Sequence, residues 1–139
     1  MNIKEIRKNS TKDNENYKKS NYIYVIKGII ISILITMICL LIFSIILTNS
    51  NIQENTIFPV VAIITAISIA IGSIISSIKI KNKGIINGGL VGGIYIILIY
   101  ILSSIFSGNF SLNFYSIIMI VSAVLAGMLG GIIGVNIKK

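Results

Sequence analysis

The chain has 139 residues, of which 55% are hydrophobic and 12% charged, with a formal net charge of +8 and no histidine. An ordinary soluble domain carries about a quarter of its residues charged, so this composition excludes one. It also excludes most catalytic sets, because no carboxylate and no histidine falls inside any apolar run.

Met1 to Asn21 comes first and is polar, mixing Lys4, Glu5, Arg7, Lys8, Lys12, Asp13, Glu15, Lys18 and Lys19 with Asn and Ser. Such a segment has too little apolar surface to offset the entropy of ordering, so it reads as a disordered cytoplasmic tail or a frayed helix. Residues 22–139 read as one membrane domain. Its first uncharged run, Gly28 to Thr48, holds 21 residues, which suits a hydrocarbon core that about 20 helical residues cross. The run is too long for a secretory signal core, and no Ala-x-Ala-like cleavage site follows it. Cys39, the single cysteine, lies in the middle of this span and reads as a small packing residue.

The second run, Thr56 to Ile78, places Pro59 in the first turn of its helix, where a missing N–H is harmless. From Gly84 to Ile137, 54 consecutive residues are uncharged. A single helix of that length would be about 80 Å long, so the block must fold as two spans. The turn formers Ser107, Gly108, Asn109, Ser111 and Asn113 mark the break, giving spans at Gly84–Phe106 and Phe114–Ile137. The fold class is therefore all-α, a polytopic antiparallel bundle of four transmembrane helices with short loops. Its runs lack the alternation that a transmembrane barrel requires.

Seven of the twelve basic residues precede or enter the first span, three sit at Lys79, Lys81 and Lys83, and two end the chain at Lys138 and Lys139. The other two loops hold none. By the positive-inside rule both termini and the middle loop are cytoplasmic, in a cell or plasma membrane. The lipid bilayer is the first partner implied, with anionic headgroups meeting Lys18, Lys19 and Lys27. Nucleic acid is not implied, because the basic groups lack a folded scaffold that reads a groove.

Small residues recur at a spacing of four. The third span has Gly88 with Gly92 and Gly89 with Gly93; the fourth has Ala126, Gly130 and Gly134 beside Ala123, Gly127 and Gly131. The second adds Ala62, Ala66 and Ala70, and a second row of Ser68, Gly72 and Ser76. In lipid no hydrophobic effect drives helices together, so close backbone approach must, and GxxxG-type rows permit it. Adjacent rows lie about 100° apart, so each of the last two helices is expected to meet two neighbours. These rows concentrate toward the cytoplasmic ends, which predicts a bundle narrow there and wider outside. Asn87, Tyr95 and Asn136 are the candidate buried polar contacts, with Asn87 and Asn136 placed to meet near the cytoplasmic end.

Lys27-Gly28-Ile29-Ile30 returns 56 residues later as Lys83-Gly84-Ile85-Ile86, and Gly72-Ser73-Ile74-Ile75-Ser76 resembles Gly130 to Gly134 at an offset of 58. A duplicated two-helix hairpin would give twofold pseudosymmetry about the membrane normal.

The run of Lys83, Gly84, Gly88, Gly92 and Tyr95, with the ending Ala126 to Asn136, resembles the small four-span YrzE-like membrane proteins of Gram-positive bacteria. The resemblance begins near Ile23 and implies the four-span architecture, but neither an activity nor site residues. No enzyme activity, catalytic residue, metal site or cofactor is expected. Three functions stay open: a structural or accessory subunit associating through its Gly, Ala and Ser faces, as a homo-oligomer or with a larger membrane protein; a small oligomeric channel or passive transporter; and a holin-like protein.

Overall fold

The computed structural model describes residues 2–80, 83–107 and 113–137. Four helices follow one another: α1 (Ile3–Asn49), α2 (Glu54–Lys79), α3 (Gly84–Ser107) and α4 (Phe114–Ile137). Isoleucine is a mediocre helix former in water, yet Ile-rich runs are helical here because hydrocarbon offers backbone N–H and C=O groups no other partners. All four helices are long and apolar enough to cross a bilayer, so the protein is a multi-pass membrane protein. Lys81, Lys138 and Lys139, and the turn formers Gly108, Asn109 and Ser111, lie outside the described residues.

Two boundaries differ from the sequence reading. α1 begins at Ile3, so the polar stretch read as disordered or frayed is helical, and every described side chain from Ile3 to Asn21 is exposed. At about 1.5 Å per residue the 47-residue helix is about 70 Å long, more than twice the thickness of the hydrocarbon core. α2 begins at Glu54, ahead of the apolar run, which moves Pro59 from the first turn into the second. There its ring occupies a position whose N–H would otherwise bond within the helix.

Between α2 and α3, Lys83 takes a left-handed conformation at φ 61°, and its carbonyl accepts the Asn87 N–H at 3.1 Å. Ile80 turns inward beside it and packs with Val25, Ile29 and Val91.

α2 and α3 touch each other and both outer helices, whereas α1 and α4 do not meet. The order across the bundle is therefore α1, then the α2/α3 pair, then α4. The two ends differ sharply. Among the described residues, every buried one lies on the side of Lys27, Lys79 and Lys83, bounded by Thr36, Ser68, Ile96 and Ala123. Beyond that level, toward the α1–α2 loop, no described residue of any helix is buried. A Phe58–Tyr115 edge-on ring contact, centroids 5.0 Å apart, joins the starts of α2 and α4 there.

Candidate functional site

Among the described residues, buried polar and small side chains converge in the interior of the basic half. It is built from three seams of close helix contact. On α1 and α2, a Cβ added to Gly28 would sit 2.8 Å from the Gly72 carbonyl oxygen and 2.7 Å from Ser76 Cβ. On α3 and α4, Gly84 abuts the Gly131 carbonyl and Gly88 abuts that of Gly127, and each contact is returned by the partner glycine. Gly92 continues this seam against Ala123. The third seam joins the parallel helices α2 and α4, where Gly130 meets Ala70 and Gly134 lies against Ile74 and Ser77.

In the Gly28/Gly72, Gly84/Gly131 and Gly88/Gly127 pairs, the hydrogen that takes the place of a side chain points at the facing carbonyl oxygen. Contacts of this Cα–H···O type are worth about 0.5–1 kcal/mol each. Only glycine allows the approach, because any Cβ would collide with backbone that cannot turn aside.

The sequence-derived glycines divide accordingly. Gly72, Gly88, Gly92, Gly127, Gly130, Gly131 and Gly134 all lie in seams. The fourth helix uses its two rows on two neighbours, α3 and α2. The third helix does not: among the described residues, an added Cβ at Gly89 would meet just the flexible Met128 side chain, at 3.3 Å, and one at Gly93 would meet nothing within 4 Å. The row formed by Gly89 and Gly93 thus makes no backbone-to-backbone seam. α1 reaches α3 on another face, through Val25 and Ile29 against Val91.

Hydroxyl groups thread these seams. Tyr95, 1% exposed, donates to Thr36 Oγ1 at 2.9 Å; Thr36 in turn donates to the Ser32 carbonyl at 2.7 Å, and Ser32 to the Gly28 carbonyl at 2.9 Å. On the other side of α2, Ser73 donates to the Gly127 carbonyl at 2.6 Å. Ser76 and Ser77 are buried with no hydrogen-bond partner for their hydroxyls among the described residues. Asn87 is buried, but Asn136 is exposed, so these two amides do not share a buried site.

Sequence reasoning places Tyr95 and Thr36 inside the spans without pairing them, and it does not single out Gly28 and Gly84 as contact residues. The signal was present: Gly28, Ser32 and Thr36, like Gly84, Gly88 and Gly92, are small residues four apart.

The seams also correct the repeat register. Gly28 and Ser32 of the first hairpin take the places of Gly84 and Gly88 in the second, 56 positions on, while Gly72 and Ser76 correspond to Gly127 and Gly131, 55 positions on. The offset of 58 matched the wrong face of α4. A closed twofold would also require α1 to touch α4 as α2 touches α3, and it does not.

The interior thus offers hydroxyls, one amide and backbone carbonyls. Among the described residues no group of three or more His, Cys, Asp or Glu side chains is arranged to hold a metal ion. No curated protein and no solved structure matches the chain. Residues 21–134, reaching from the end of the polar segment into the last turn of α4, match a family of proteins of unknown function, DUF3792, and the chain belongs to that family.

Proposed function

We propose that this protein is a non-enzymatic structural or accessory subunit of a bacterial cytoplasmic membrane, YrzE-like in kind, with both termini on the cytoplasmic side. The observation that carries this reading is the position of α1. From Met37 to Asn49 it has no buried residue, and Met37, Ile38, Leu41, Ile42, Ile45 and Ile46 are all exposed. The glycine faces are mostly consumed inside the chain, and this half-helix, which belongs to an outer helix of the bundle, is the surface offered to a larger membrane protein. Lys18, Lys19 and Lys27 meet anionic headgroups on the cytoplasmic side.

An oligomeric channel or passive transporter is the weaker reading. A shared pore needs polar residues facing out of the single bundle, whereas Tyr95, Thr36 and Ser73 are bonded within it.

Gentle native extraction of tagged protein, with mass determination and identification of what accompanies it, tests the proposal. A stoichiometric larger membrane protein, lost from Ile42→Trp and Ile46→Trp variants that still fold, is the expected result. A homo-oligomer without companions that conducts ions or solutes in proteoliposomes would replace this reading with the channel.

A further inference from the structure

Beside the unused glycine of α3 lies a groove of about 190 Å³ between α3 and α4, lined by Gly93, Ile96, Ile97, Tyr100, Ile120 and Val124, with an apolar lining throughout. We propose that this groove is a binding site for one acyl chain of a membrane lipid, belonging to the leaflet opposite the basic end.

Depth, volume and chemistry all point to that occupant. At about 1.5 Å per residue, Gly93 lies about 14 Å from the start of α3, near the middle of a hydrocarbon core about 30 Å thick, and Tyr100 lies about 24 Å along. On α4, Ile120 is about 9 Å and Val124 about 15 Å from the opposite surface. The groove therefore runs from the midplane to within about 6–9 Å of the opposite interface, which is the depth reached by the inner part of an acyl chain within one leaflet. Its volume of about 190 Å³ holds part of one acyl chain and is too small for a turn of helix about 10–12 Å across with its side chains. Water has no polar partner there, and apolar cavities of this kind stay dry.

The groove also has a floor and a stop. The floor exists because α3 and α4 touch at Gly92 and Ala123 while Gly93, one residue on, faces open space. The stop is the Met128 side chain, which covers Gly89 on the basic side. A chain end entering from the Tyr100 level halts beside Gly93 and Val124.

The test uses full-length protein with labelled Ile and Val methyls, in phosphatidylcholine nanodiscs doped with a lipid carrying a nitroxide near the end of its acyl chain. Ile96 is the diagnostic residue, being only 8% exposed and therefore shielded from lipid that merely surrounds the protein. Its methyl and that of Val124 are expected to broaden several-fold more than those of lipid-facing Ile94 and Val121. The excess should vanish in Gly93→Leu, whose side chain fills the groove at a position with no neighbour to displace; Val124→Phe serves if that variant does not fold. Equal broadening at all four positions would overturn the proposal, as would an excess that persists in a folded filled variant. Intermolecular contacts from a second copy to Ile97 and Ile120 would overturn it too, by assigning the groove to a protein side chain.

Discussion

The two halves of the bundle differ in which residues they bring into contact. In the basic half, glycine and serine bring backbones into contact, and all the buried residues among those described are found there. In the opposite half, Ile, Leu and Phe of equal or greater hydrophobicity hold nothing inside: Leu41, Ile45, Ile105 and Phe106 are all exposed. In water the larger residues would form the core. In a bilayer they gain little from meeting one another, because lipid tails are as apolar as they are, and contact is won by whichever side chains let backbones approach.

That comparison is open to direct attack by reversible unfolding in mixed micelles. The largest effect is expected for Gly88→Leu, whose side chain would run into the Gly127 carbonyl, the Ser73 hydroxyl and the Gly131 Cα. Overpacking costs about 1–3 kcal/mol when side chains can yield, and this site, walled by backbone, belongs at or above the upper end. Gly130→Ile, pressed against Ala70, should behave alike; if either variant is as stable as the parent, the seams are misplaced.

Tyr95→Phe removes the bond to Thr36 at the boundary between the halves, and a loss of about 0.6–1.7 kcal/mol is expected from interhelical bonds of this kind. Ser73→Ala, which removes the bond to the Gly127 carbonyl, belongs at the low end, about 0.6 kcal/mol. The smallest effects are expected in the opposite half, where Leu41→Ala and Ile105→Ala should stay within about 0.5 kcal/mol of the parent. A loss there as large as that of Gly88→Leu would erase the distinction between the halves.

A finer comparison sets the two hairpins side by side. Gly84 and Gly88 in the second stand where Gly28 and Ser32 stand in the first, so the second has glycine at Gly84, Gly88, Gly127 and Gly131, where the first has serine at Ser32 and Ser76. Ser32→Gly brings the first seam closer to the second while removing the hydroxyl that bonds the Gly28 carbonyl. Its measured stability would show whether close approach or the hydroxyl matters more at that position.

Much of this was legible from residue order. The charge-free runs located α2, α3 and α4 nearly to the residue, since a helix in hydrocarbon ends where charge and turn formers begin. Gly88, Gly92, Gly127 and Gly131 announced a seam through their spacing. Gly89 and Gly93 carry the same spacing and form no seam, and no local feature separates the two rows. The helical continuation of α1 to Ile3 was equally hidden, because the polar composition of that stretch fits a frayed helix as well as a coil.

The sequence by itself determined that four helices cross a membrane and which of their faces permit close approach, because both follow from composition and a spacing of four along a helix. Only the tertiary structure decided which permitted faces meet: that Gly127 faces Gly88 while Gly130 faces Ala70, that Tyr95 finds Thr36, and that Gly93 faces a groove. In a bilayer, burial of apolar surface does not choose among neighbours. The choice falls to the mutual fit of backbones from distant parts of the chain, which the residues of one helix do not specify.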